Sequence, residues 1–255
     1  MNCAFCLREA KLSKEHLISR PMASAASIDR ARTFVASVDG RTGRIGRAVR
    51  LDDRSVRLPC VPCNSGWMRA LEHEAADALR AWVDSGEPLT PSGVSALTRW
   101  LVKTAVVLAF SENDSRRFLD RPEEAGVPAI TQAKAVARGE VPELVVAGAA
   151  RATGDRVLWG VGNASVDPVG PDRISTRAVN VAALNLGEVQ FWVVMPFIPA
   201  DEIRLPAGVL ELRPGLKVSQ LAYRAADRLD PTEVIAAYGD EVTAAFQAAM
   251  AQLVK

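Results

Sequence analysis

The sequence predicts an α+β chain: a small cysteine-bearing N-terminal module, a helical joint, and a larger α+β remainder holding an antiparallel sheet. Three observations carry this. All four cysteines fall within the first 63 of 255 residues, as Cys3-x-x-Cys6 and Cys60-x-x-Cys63. Two stretches, about 64–83 and 92–110, are helical by pattern. Four β-rich runs then follow at 143–149, 156–166, 177–186 and 188–198, separated by Gly, Pro and Asp. The boundary is placed at 83, giving a module of residues 1–83 and a domain of residues 84–255.

The cysteines come first. Each C-x-x-C pair can place two thiolates on one ion within a tight turn. Two pairs complete a sulfur tetrahedron, the preferred shell of structural Zn²⁺. No cysteine is left over. Disulfides, in any of three pairings, and an iron–sulfur cluster are the other readings. The opening MNCAFCLREAKLSKE is broken by charge and lacks the apolar segment of a secretion signal. The most apolar run, 101–110, is too short to span a bilayer and contains Lys103. A cytoplasmic, membrane-free protein with reduced thiols is therefore expected, which favours metal over disulfides. No phosphate-loop or dinucleotide fingerprint is present, so no nucleotide cofactor is expected.

The net charge of +1 hides an asymmetry: residues 1–70 carry +7 and residues 71–255 carry −6. A basic module suits a phosphate backbone, although an Arg-rich composition alone would look the same. Arg41, Arg44, Arg47, Arg50, Arg54 and Arg57 recur about every three residues. They read either as a phosphate-binding surface or as a solvated strand face.

Between Pro21 and Arg57, RTFVASVD (32–39) and RAVRL (47–51) read as short strands joined through GRTGRIG (40–46). The first long helix, 64–83, shows an apolar stripe of Trp67, Leu71, Ala75, Leu79 and Trp82. Gly86, Pro88 and Pro91 end it. His73, flanked by Glu72 and Glu74, falls about 200° from Leu71 and reads as a solvated residue. The second helix, 92–110, is apolar over most of its circumference and should be buried, with Arg99 and Lys103 marking its wetter edge. A polar stretch to 142 contains a short helix at 131–138, and the strands follow. Asp230-Pro231-Thr232-Glu233 then announces a final helix ending near Val254.

The second cysteine pair runs straight into the first long helix. A knuckle, a β-hairpin, and a second knuckle at a helix start make a treble-clef arrangement. It brings the residues after Cys6 close to those after Cys63, namely Glu15 and His16 to Asn64.

Here a resemblance is specific. Lys14-Glu15-His16-Leu17-Ile18, followed by Cys60-x-x-Cys63-Asn64-x-Gly66-Trp67-Met68, resembles the HNH endonuclease (ββα-metal) family, in particular the zinc-knuckle HNH-like proteins of phages and actinobacteria. It covers about residues 1–72 by motif, and Leu97–Ala105 is also similar. The resemblance implies hydrolysis of DNA phosphodiester bonds. It assigns Glu15 and Asn64 to a catalytic Mg²⁺ or Mn²⁺, whose hard character suits oxygen donors. His16 becomes the general base, a role that suits histidine because its unperturbed pKa is about 6.5. The zinc is separate and structural. The sequence departs from the family in lacking an Asn before the second knuckle: LDDRSVRLP (51–59) stands there, offering Asp53 or Ser55. Beside this, His16 also reads as a surface residue, Glu15 as a solvated carboxylate, and Asn64 as a helix cap. Trp67 and Met68 read as core. The alternative function is a non-catalytic zinc module that binds nucleic acid or a protein.

Overall fold

The structure is a computed structural model describing residues 1–30, 34–39, 49–53, 55–86, 88–112, 128–142, 145–151, 157–166, 177–195 and 210–212. It is a mixed helix-and-sheet fold. Near the N-terminus, β1 (Leu12–His16) pairs antiparallel with β4 (Ser55–Cys60). Between them in sequence lie α1 (Arg20–Ala25), β2 (Phe34–Asp39) and β3 (Val49–Arg50).

This ladder is separate from the strand pair expected within 32–51. β2 and β3 do pair, Phe34 with Arg50 and Val35 with Val49. They belong, however, to the large sheet, where β2 runs parallel to β6 (Val157–Val166). The cysteine-bearing end is instead built on LSKEH, which buries Leu12 and Glu15 and exposes Lys14 and His16, its register shifting between Leu12 and Lys14. A charged strand of that length carries little apolar signal.

The helix after the second knuckle starts earlier than its apolar stripe suggests. α2 (Val61–Cys63) has Cys60 as its N-cap and a proline in its first turn. It continues through a wider, π-type turn (Asn64–Met68), in which Gly66 leaves helical geometry at φ −92°, ψ −111°. α3 (Arg69–Asp84) follows. Asn64 is thus inside the first turns and is not the cap. The stripe holds: Leu71, Ala75, Leu79 and Trp82 are buried, and Met68 with them. Trp67 is half-buried and meets the Phe5 ring edge-on, with centroids 5.4 Å apart, tying the first knuckle to the helix.

α4 (Pro91–Glu112) lies against α3, and α5 (Pro128–Ala137) against α4. Lys103 is not on a wet edge: it has no solvent exposure and lies in the core beside Trp100, Val102 and Val106. The seven-stranded sheet runs in the order β3-β2-β6-β7-β8-β5-β9, with β5 (Val146–Arg151), β7 (Arg177–Leu186), β8 (Val189–Met195) and β9 (Leu210–Glu211). All neighbours are antiparallel except the β2–β6 pair. One contiguous apolar cluster reaches from Cys3 to Leu212, so core and sheet draw residues from both sides of position 83. The turn between β7 and β8 needs Gly187: its φ is +60°, and a Cβ there would stand 2.7 Å from the carbonyl oxygen of Ala26. Among the described residues, no helix is long and apolar enough to cross a membrane. The final helix expected after Asp230 lies outside them.

Candidate functional site

The four cysteine sulfurs converge. All lie within 4.8 Å of one another, and none is in a disulfide. The first knuckle turns because Cys3 N–H donates to the Arg8 carbonyl and Leu7 N–H to the Cys3 carbonyl, with Leu7 at φ +57°. It docks on β4 through Ala4 N–H to the Leu58 carbonyl at 3.1 Å and Cys60 N–H to Cys3 Sγ at 3.2 Å. Burial pushes the Cys6 and Cys63 thiols up, and neighbouring sulfurs add to this. At Cys3 burial also pushes up, but hydrogen bonds from the Cys6, Cys60 and Phe5 backbone outweigh it, and the thiol is lowered.

The donor set fits a metal ion such as zinc. With Zn–S bonds of about 2.3 Å, a tetrahedron has sulfur–sulfur edges of about 3.8 Å. Cys6 Sγ and Cys60 Sγ stand 3.8 Å apart. Among the described residues this is the single place where three or more His, Cys, Asp or Glu side chains converge as metal ligands.

Beside the cluster opens a cavity of about 560 Å³, lined by residues of β1, α1, the helix start and α3. His16, Glu15 and Asn64 all line it. His16 is exposed at the end of β1, opposite Ser55 in the ladder. Asn64 acts as a strut: its Nδ2 donates to the Lys14 carbonyl at 2.8 Å and to Ser13 Oγ at 3.0 Å. Ser13 Oγ in turn donates to the Pro59 carbonyl at 3.1 Å, so the helix start, β1 and β4 are laced together. This places a side-chain amide beside the His-bearing strand although the hairpin lacks its Asn.

Glu15 faces inward. Its Oε1 accepts from Lys103 Nζ at 2.5 Å, and Lys103 also donates to Glu72 Oε1 at 2.7 Å. Burial lowers the Lys103 pKa, but the attraction of Glu15 and Glu72 overrides it, and the ammonium is held above the ordinary lysine value. Burial raises Glu15; the Lys103 charge opposes this, and the nearby Glu72 charge adds to it, leaving it raised. Two carboxylates share one ammonium, so the trio carries one net negative charge.

Lys14, Arg20, Arg30 and Arg69 also line the cavity, and His73 stands exposed at its edge. Sequence reading passed over Arg20, Arg30, Arg69, Glu72 and Lys103 as site residues. A signal existed for Lys103: a lone cation within LVKTAVVLAF must find a carboxylate if the helix is buried. Of the arginines singled out, Arg41, Arg44, Arg47 and Arg54 lie outside the described residues. Arg50 is exposed and pairs with Asp53, at 2.9 Å. Arg57 is exposed on β4 opposite Lys14. Neither Arg50 nor Arg57 is among the residues lining the cavity. Comparison of the chain with family models, with characterised proteins and with solved structures finds no match.

Proposed function

We propose that the cavity receives a nucleic-acid phosphodiester and that the chain is an HNH-type endonuclease acting on DNA, its cysteine cluster a treble-clef zinc staple. One observation carries this reading: His16 and Asn64, from motifs 48 positions apart, share one cavity with four basic side chains. Lys14, Arg20, Arg30 and Arg69 outnumber the net negative charge of the Glu15–Lys103–Glu72 trio, so the cavity favours an anion. His16, exposed at the rim, is the group suited to take the proton of the attacking water. Asn64 keeps the strand bearing it in place.

The resemblance also calls for Mg²⁺ or Mn²⁺ on Glu15 and Asn64. The residues do not fit that ion as they stand. The Glu15 carboxylate is held by an ammonium, and the Asn64 side chain is oriented by its Nδ2, which donates to β1. The same observation favours a second reading, a zinc module that binds nucleic acid without cutting it.

The test is nicking of supercoiled plasmid, with binding of the same DNA measured in parallel. Cutting that fails in His16→Ala supports the endonuclease. Binding without cutting in every divalent metal supports the second reading. Neither binding nor cutting removes both.

A further inference from the structure

The Glu15–Lys103–Glu72 trio is built from three distant parts of the chain and is almost fully withdrawn from water: the side chains of Lys103, Glu15 and Glu72 are 1%, 5% and 13% exposed. Carboxylates from two elements meeting on one buried cation is also how proteins hold a hard divalent ion. Here the cation is a side chain. Lys103 has no exposure and its stem lies in the α4 core, so it has no route to swing into solvent. Its ammonium is held between two carboxylates, at 2.5 Å from Glu15 and 2.7 Å from Glu72.

We propose that Lys103 is the built-in cation of this cavity: its ammonium takes the place between Glu15 and Glu72 that a divalent ion would take. The wild-type chain accordingly binds no Mg²⁺ or Mn²⁺ through Glu15. A phosphate entering the cavity is met by Lys14, Arg20, Arg30 and Arg69 instead. Two forces maintain the exclusion. A dication at the carboxylates would lie against a fixed positive charge. One oxygen of each carboxylate already accepts a charge-assisted hydrogen bond from Lys103. Removing the ammonium leaves two facing carboxylates, and such a pair calls for a cation. Lys103 is thus a positioning residue that orients Glu15 and α3, and it does not touch substrate. The functional meaning of this exclusion rests on the nuclease reading; the exclusion itself rests on the trio.

The test is a Mn²⁺ titration of the full-length, zinc-loaded protein without nucleic acid, following free Mn²⁺ by electron paramagnetic resonance. Wild type and Glu15→Gln are expected to give the same weak, non-saturating curve. Lys103→Ala is expected to gain one saturable Mn²⁺ per chain, about tenfold or more tighter than any wild-type binding, and Lys103→Ala/Glu15→Gln to lose it. A wild-type Mn²⁺ site abolished by Glu15→Gln overturns the proposal. So does a folded Lys103→Ala protein that gains no site. If Lys103→Ala does not fold, the comparison of wild type with Glu15→Gln decides alone. His16→Ala leaves these curves unchanged, so this inference and the nuclease reading can fail separately.

Discussion

Lys103 Nζ and Glu15 Oε1 meet at 2.5 Å across 88 positions of sequence, joining the buried helix α4 to the strand that carries His16. Neither group is placed for solvent. The contact explains why a carboxylate next to an exposed histidine is itself buried. It also ties the N-terminal ladder to the helical core.

Lys103→Met is expected to destabilise the chain by about 3–5 kcal/mol, because it leaves Glu15 buried and unpaired. The pH dependence has a definite sign. With its folded pKa raised above 10.5, wild-type Lys103 stabilises fully below that pH, and the contribution fades as pH rises through the folded value. Glu15, raised above 4.5, binds its proton more readily when folded. The Lys103→Met chain should therefore recover about 1 kcal/mol or more as pH falls from 8 to 5. Urea unfolding at a series of pH values measures both effects. A deficit that does not shrink toward pH 5 would show that Glu15 is not the group left uncompensated.

Asn64→Asp separates a strut from a metal ligand. As a strut, Asn64 donates two hydrogen bonds, to the Lys14 carbonyl and Ser13 Oγ. An aspartate cannot donate and would set its charge against a carbonyl oxygen. A loss of about 1–3 kcal/mol is expected, at least as large as for Asn64→Ala. Thermal unfolding of both variants checks this. An Asn64→Asp chain that is as stable as wild type and gains Mn²⁺ affinity would return Asn64 to the ligand role.

The cysteine cluster is expected to carry one zinc per chain, measured by elemental analysis of the purified protein. Cys60→Ala removes one of the four sulfur ligands while keeping its backbone N–H to Cys3 Sγ. It should lose the metal and unfold the β1–β4 end. A Cys60→Ala chain that stays folded and zinc-loaded would contradict the site.

Gly187→Ala is expected to cost at least about 1 kcal/mol, since the substituted residue must hold φ +60° and its Cβ must displace the Ala26 carbonyl oxygen. The melting temperature reports it. An unchanged value would mean that α1 does not press on the β7–β8 turn.

Much of this was legible in the sequence for physical reasons. The cysteines announce their cluster because a thiolate tetrahedron needs two short-range pairs and little else. Leu71, Ala75, Leu79 and Trp82 announce a helix face because burial repeats every turn. The strands at 157–166 and 189–195 carry valines and aromatics, that at 177–186 alternates, and turn-forming residues separate them. What was hidden depends on long-range pairing. LSKEH has no strand signal of its own and becomes one only against Ser55–Cys60. The parallel β2–β6 contact joins residues 122 positions apart and leaves no local mark. The Glu15–Lys103 contact was hidden because the two residues lie in different elements, 88 positions apart. The cavity's Arg20, Arg30 and Arg69 are scattered in sequence and converge only in the fold.

The most direct measurement is the rate of plasmid nicking by wild type and His16→Ala, each with Mg²⁺ and each after dialysis against metal-free buffer. The wild-type chain is expected to nick DNA at similar rates in both buffers, and His16→Ala to be slower by about 10²-fold or more in both. A His16→Ala chain that nicks as fast as wild type would contradict the account.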